Sequence, residues 1–287
     1  MVGMEQSRQL PPGNLIATLR SAGCVDAEEE AAILQEAAHS SGHLAQMLAR
    51  RVQGTPLEHI VGWAEFDGTR MAVAAGVFVP RRRSIFLVDR AIAVLRAQAT
   101  ARGESWATGQ PARIPVIVDL CCGSGALGAA LARRLAAPVQ QRACVLHATD
   151  IDPAAVDCAA RNVAPVNGRA YCGDLFEPLP KTLRGTVDLI IANAPYVPSR
   201  DIEFMPREAR LHEPGAALNG GADGLDLHRR IARQAGRWLR PGGTLLLECS
   251  ARQAPAGARI LAACGLTSST AASDEFDCTL VTGTLTT

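Results

Sequence analysis

Four short segments of this sequence combine acids, glycines and amides at spacings that support chemistry. The first is Val116-Ile-Val-Asp-Leu-Cys-Cys-Gly-Ser-Gly-Ala-Leu-Gly128. An apolar run ends in Asp119 and passes into a glycine-rich loop that opens a helix. Ligands of open α/β sheets sit at the carboxyl ends of such strands. Gly123 and Gly125 allow the backbone to come close to a ligand. With Gly128 they also spell the G-x-G-x-x-G of a dinucleotide loop, a weak signal by itself, so a nicotinamide cofactor competes here. Asp119 tilts the choice. A carboxylate beside a pyrophosphate gains little, whereas beside an amino-acid ammonium it gains a charge-assisted hydrogen bond. S-adenosylmethionine carries that ammonium and no phosphate.

The second segment, Ala148-Thr-Asp-Ile-Asp-Pro153, puts Asp150 at the end of another strand, 25 residues after Gly125. An acid there accepts hydrogen bonds from both hydroxyls of a ribose, in nicotinamide and S-adenosylmethionine cofactors alike. Asp152, followed by Pro153, suits the N-cap of the next helix, with proline at its first position. The ribose therefore goes to Asp150 and the cap to Asp152. In the third segment, Cys172-Gly-Asp-Leu-Phe-Glu-Pro178, Asp174 is a candidate for an adenine amino group and Leu175 for the ring face. The fourth, Ile190-Ile-Ala-Asn-Ala-Pro-Tyr-Val-Pro198, runs from an apolar strand into Asn193, Pro195 and Tyr196. The Asn side chain and the next carbonyl are two acceptors for one –NH2 group. Pro195 stiffens the turn, and Tyr196 offers a ring face to a planar amide or base.

The elements that must hold these segments follow from periodicity. Residues 14–53 read as helices, with Asp26 and Glu29 as a capping box opening a run to His39. Ser40, Ser41 and Gly42 interrupt the spacing, which Leu44, Met47 and Leu48 resume, and Gly54-Thr55-Pro56 stops it. Phe66-Asp67-Gly68-Thr69 carries a hairpin turn signal, flanked by Trp63 and by Met71, Val73, Val77 and Val79. Pro80 ends that stretch. Residues 85–97 are helical and 99–113 a loop or linker. From residue 114 onward strand, loop and helix alternate: strands at 114–120, 144–149, 170–172, 187–192, 244–249, 266–270 and 278–285, and helices at 127–135, 154–162, 223–239 and 256–264, the third stopped by Pro241-Gly242-Gly243. Such alternation predicts a mostly parallel sheet covered on both faces. The expected division is a small helical domain over residues 1–56, a β-hairpin connector over 57–84 and an α/β domain over 85–287.

Length and composition are consistent with this. The 287 residues suit roughly two domains, and 48% apolar with 20% charged residues is a globular composition. Charge is balanced on both sides of residue 113, 12 basic against 11 acidic before it and 17 against 17 after it. Bulk binding to a phosphate backbone is disfavoured. Nine cysteines without a C-x-x-C pair read as reduced, buried thiols, and no metal is implied. Met1–Gly13 lacks the apolar core of a signal peptide, and no apolar run approaches the roughly 20 residues of a membrane span. The expectation is a cytoplasmic protein that binds neither membrane nor nucleic acid directly.

From about Gly54 onward the chain resembles the HemK/PrmC-type protein glutamine N5-methyltransferases. The matching pieces are Gly54-Thr-Pro-Leu57, Gly62-Trp-Ala-Glu-Phe66, Gly76-Val-Phe-Val-Pro-Arg81, the Asp119 loop, Asp150, Gly173–Pro178, Asn193–Tyr196, His212-Glu-Pro214, Asn219-Gly-Gly-Ala-Asp-Gly-Leu225, and Pro241-Gly-Gly243 with Glu248. The resemblance implies a Rossmann-like class I methyltransferase sheet with a helical N-terminal domain. It also implies S-adenosyl-L-methionine as cofactor and the Gly-Gly-Gln glutamine of peptide chain release factors as substrate. It carries cofactor contacts onto Asp119, Cys121, Cys122, Gly123, Ser124, Gly125, Asp150, Ile151, Asp174, Leu175 and Asn193. It carries catalytic roles onto Asn193, Ala194, Pro195 and Tyr196. Three departures stand out: Ala194 where the family has Pro, Cys121 where it has Gly, and Arg82-Arg83-Ser84-Ile85 where it reads Pro-Glu-Thr-Glu. They leave open a divergent paralogue acting on another protein glutamine, a non-catalytic cofactor-binding protein, and an adenine-N6 nucleic-acid methyltransferase, whose flipped base the same Asn–Tyr geometry would hold.

Overall fold

The computed structural model describes residues 12–104, 113–136 and 143–286. The first eleven residues of the expected helical domain, and positions 105–112 of the stretch read as a linker, lie outside them. Three helices, α1 (Pro12–Ser21), α2 (Ala27–Ala37) and α3 (Ser41–Val52), close on a core of their own built from Leu15, Leu19, Leu34 and Met47. Glu28, Glu29 and Glu30 place negative charge in the first turn of α2, where the helix dipole favours it. The expected capping box is absent. Asp26 sits at φ −99°, ψ 48°, outside the extended region that aims a cap side chain at the free N–H groups, and makes no cap hydrogen bond. Ser40, read as an interruption, is instead the N-cap of α3, accepting from the His43 amide at 3.1 Å.

A short helix α4 (Leu57–Val61) leads into the hairpin of β1 (Trp63–Phe66) and β2 (Thr69–Ala72). Asp67 and Gly68 at its tip both have positive φ, 50° and 69°, as a two-residue hairpin turn with matching twist requires. Val73, Val77 and Val79 lie beyond the strand but are buried. A 3-10 turn (Arg82–Ser84) then opens α5 (Ile85–Ala101).

The remaining elements are β3 (Val116–Leu120), α6 (Ala126–Ala136), β4 (Val145–Asp150), α7 (Pro153–Val163), β5 (Arg169–Cys172), β6 (Val187–Ala192), α8 (Arg207–His212), α9 (Gly215–Leu218), α10 (Asp226–Ala235), β7 (Leu239–Cys249), α11 (Ala254–Ala263), β8 (Leu266–Ser273) and β9 (Cys278–Leu285). The seven strands form one sheet in the order β5-β4-β3-β6-β7-β9-β8, parallel except for β9, which runs antiparallel to both neighbours. Alternate residues feed two apolar layers. Ile117, Leu189 and Ile191 pack with α5 and α6, whereas Val118, Ile190 and Ala192 pack with α10 and α11. The helix expected over 223–239 is shorter, and Pro241-Gly242-Gly243 does not stop it. Those residues lie inside β7, where the pairing with β6 shifts register between Val187 and Leu189. Among the described residues no helix is long and apolar enough to cross a membrane.

Candidate active site

The strand register brings the four segments together. Leu120 pairs with Thr149 and with Ala192, Asp150 pairs with Cys172, and Ala192 pairs with Leu247. Cys121, Gly173 and Asn193 therefore leave the carboxyl edge of the sheet, with Asp150 and, near the end of β7, Glu248 at that same edge. Above them lies a cavity of about 440 Å³, within the range of small-molecule sites.

One side of the cavity is built by the β3–α6 and β4–α7 turns. Asp150 accepts from the Gly123 amide at 2.8 Å and the Asp152 amide at 3.0 Å. A carboxylate has about four lone-pair positions, so acceptor capacity remains toward the cavity. Burial pushes the Asp150 carboxyl up, and the two amides oppose that. Asp152 caps α7, accepting from Ala154 at 2.9 Å. Ile151 lies on the cavity wall and is 64% exposed, apolar surface that a planar ligand would cover. Leu175 lines the wall in a left-handed conformation, φ 50°. Asp174 also reaches the cavity, but one of its oxygens is taken by Arg230 of α10. This set of a free-edged carboxylate, an uncovered isoleucine and a glycine-lined turn fits a nucleoside cofactor.

Two expected contacts are not at the surface of this wall. Asp119 is wholly buried behind the loop, where its Oδ2 accepts from the Gly128 amide at 2.9 Å and its Oδ1 has no partner. Burial pushes its carboxyl up to about 7. It braces the helix start and is not among the residues that line the cavity. Gly125 faces α7 instead of a ligand, and a Cβ there would lie 3.0 Å from the Ala159 Cα. Cys121, Cys122, Gly123 and Ser124 do line the cavity, Cys121 at φ 51°.

The other side is built by the turn after β6. Asn193, Ala194, Pro195 and Tyr196 all line the cavity. Asn193 Nδ2 donates to Ser84 Oγ at 3.2 Å, and among the described residues no protein donor meets its Oδ1 or the Ala194 carbonyl. Two acceptors on residues that line the cavity are therefore left without protein donors. Tyr196 Oη donates to Glu248 Oε1 at 3.1 Å. Burial, and then the Glu248 charge, push the phenol up. The loop 219–225 packs beneath this turn: Val197 donates to the Leu218 carbonyl at 3.1 Å, and Gly220 to the Val197 carbonyl at 2.9 Å. Gly224, at φ 78°, leaves no room for a side chain, since a Cβ would lie 2.2 Å from the Tyr196 carbonyl.

Sequence reasoning passed over Arg230, and it placed Ser84, Phe78 and Glu248 in matched or departing segments without giving them a role. Glu248 is buried and receives Ser84 Oγ at 2.6 Å, Tyr196 Oη and, at 3.2 Å, Arg83 Nε. Its carbonyl is met by His228 Nε2 at 2.9 Å. Burial lowers His228 to about 4, so the ring is neutral and Nε2 carries the proton. Only the placement of residues 81–84 next to a recognised motif hinted at these partners.

A family model described as a methyltransferase domain matches residues 117–215. The release factor glutamine methyltransferase of Streptomyces coelicolor is 37% identical over 233 residues, covering 78% of this chain and 76% of that protein. A 4-amino-L-phenylalanine/4-methylamino-L-phenylalanine methyltransferase of Streptomyces pristinaespiralis is 39% identical over 199 residues, covering 69% and 62%. Among solved structures, the catalytic domain of hMettl16 in complex with an RNA hairpin matches at TM-score 0.55 and 11% identity, covering 84% of this chain and 82% of that one. That likeness is one of fold.

Proposed function

Since the chain belongs to the release factor glutamine methyltransferase family, we propose that it transfers the methyl group of S-adenosyl-L-methionine to the side-chain amide nitrogen of the Gly-Gly-Gln glutamine in a peptide chain release factor. The observation that carries this is the pair of acceptors without protein donors, Asn193 Oδ1 and the Ala194 carbonyl, on residues that line the same cavity as Tyr196. An amide –NH2 group has two protons to give and no acceptor function at nitrogen, so this pair is complementary to it.

The bound cofactor supplies an electrophilic methyl group. The protein's contribution is orientation. An amide nitrogen is a poor nucleophile because its lone pair is delocalised. Asn193 and Ala194 hold both amide protons and turn the nitrogen toward the cofactor side, while Tyr196 packs on the amide plane and excludes water. Orientation and proximity of this kind supply up to about 7–11 kcal/mol. Nitrogen becomes strongly acidic on methylation and releases its proton without a dedicated base. Ala194 provides the same carbonyl that a proline would provide. On the cofactor wall, Asp150 takes the ribose, Ile151 and Leu175 take the adenine faces, and the free oxygen of Asp174 takes the adenine amino group.

The helices over residues 1–56 are the unit that docks the protein substrate, with residues 57–84 as connector and 85–287 as the transferase domain. An apolar core of its own supports a separate first unit, with Leu57, Ile60 and Val61 of α4 packed against it from the connector side. The site of action is the cytoplasm, where release factors work. The test is transfer of labelled methyl from S-adenosylmethionine to purified release factor, with the position located by mass spectrometry. Label on the Gly-Gly-Gln glutamine, lost in Asn193→Ala, supports the proposal. An unlabelled release factor, with label on a free aromatic amine instead, would refute it.

A further inference from the structure

Asn193 is symmetric in shape but not in chemistry. Turned one way it shows the substrate an acceptor, and turned the other way a donor. A donor facing the substrate –NH2 would repel the group it must hold. The hydrogen-bond chain behind Asn193 removes the choice. Glu248 is a buried carboxylate paired with Arg83, and a carboxylate only accepts. Ser84 Oγ, 2.6 Å from Glu248 Oε2, must therefore spend its single proton on Glu248. Its remaining capacity is as an acceptor, and Asn193 Nδ2 lies 3.2 Å away. The NH2 end of Asn193 is thus held by Ser84, and Oδ1 is left for the cavity.

We propose that Ser84 and Glu248 are positioning residues that fix which way round the Asn193 carboxamide sits. The inference rests on the glutamine-transfer function above. Glu248 also receives the Tyr196 hydroxyl, so one carboxylate orients both the acceptor and the ring of the amide clamp. Arg83, whose side chain is 43% exposed at the cavity rim, balances the buried charge. Register makes the arrangement possible, because Asn193 and Glu248 each follow a paired residue, Ala192 and Leu247, on neighbouring strands.

The experiment has two arms on the full chain with S-adenosylmethionine present. In the first, kcat and KM for the release factor and the cofactor Kd are compared among wild type, Ser84→Ala, Ser84→Cys and Ser84→Thr. A misaimed amide costs on the order of 100-fold in rate. That loss is expected in kcat for Ala and Cys, which offer no oxygen acceptor, with KM and Kd unchanged, and Thr is expected to restore most of it. The Cys variant keeps the volume, so a folding defect in Ala does not blur the result. A loss that resides in KM or Kd, or one that Thr shares equally, overturns the proposal. In the second arm, NMR of the 15N-labelled chain reads the nuclear Overhauser contact from the Asn193 side-chain NH2 protons to the Ser84 β protons, with the Asn193 signal identified by its absence in Asn193→Asp. The contact is expected, and its absence overturns the orientation. The second arm needs no protein substrate. A wild type that shows the contact yet leaves the release factor unlabelled sinks the substrate assignment and not this one.

Discussion

Replacing Asp119 by Asn removes a buried charge while keeping the shape and the acceptor for the Gly128 amide. In the native protein that carboxyl keeps its proton up to about 7, against an ordinary value near 3.8, because burial outweighs the single amide it accepts from. The unfolded chain has released this proton above pH 3.8, whereas the folded chain retains it until about pH 7. Native protein thus binds the extra proton across that window. Stability is fully present below pH 3.8, falls as pH rises and levels off above about pH 7. Each pH interval of one costs about 1.4 kcal/mol, so the total is on the order of 4 kcal/mol. At about 2–4 °C per kcal/mol, a Tm difference of about 8–16 °C at most follows for a protein of this size. Calorimetry of wild type and Asp119→Asn between pH 4 and pH 8 reads this directly. The two should melt together near pH 4, and Asp119→Asn should melt higher at pH 8. Glu213, also pushed up by burial, is present in both proteins and drops out of the difference, whereas the Asp150 charge, which helps raise the Asp119 carboxyl, is part of what Asp119→Asn relieves. A Tm difference that stays constant across the range would refute the buried-proton account.

Further expectations concern the transfer side and the loop. Asn193→Ala is expected to leave cofactor affinity within a few-fold, by isothermal titration, while abolishing detectable methyl transfer; full turnover would contradict the two-acceptor clamp. Gly224→Ala must push the Tyr196 carbonyl or Gln253 Nε2, since the added carbon would lie 2.2 and 2.3 Å from them. A fall in kcat of about 100-fold is expected with cofactor affinity retained, as misplacement of this size costs, and unchanged kcat would show that the 219–225 loop does not brace the site. Cys121→Gly relieves a side chain held at φ 51°. A gain of up to about 1 kcal/mol is expected, the relief of roughly 1–2 less the greater freedom of glycine in the unfolded chain; a lower Tm would count against strain at this position.

What could be read from the sequence was what local chemistry decides. The strand Val187–Ala192 is buried at every position and stands as expected. The Asp67-Gly68 turn and the Asp152–Pro153 helix start depend on neighbours in sequence, and both were legible. Asp26 shows the limit of that logic, since the residue type was right and its backbone angles were not. Functions that depend on distant partners were hidden. Asp119 and Gly125 sit in a ligand-binding motif, but the packing of Gly128, Leu146 and Ala159 turns them inward. Ser84 lies 164 residues from Glu248, and no spacing rule connects a 3-10 turn to the end of a late strand.

The order of strands also divides the site between two parts of the sheet. β8 and β9 form a hairpin whose contacts are local, while the parallel strands must wait for their crossovers, and local contacts form sooner. The hairpin joins the sheet only when β9 meets β7, and that seam pairs Leu280 with Glu248. Asp150, Gly123 and Leu175 lie on the far side of the sheet order, beyond β6. Glu248, in contrast, is paired with β9 through Leu280. The cofactor wall and the carboxylate anchor of the amide clamp thus rest on opposite sides of β6, and only the anchor depends on the antiparallel seam.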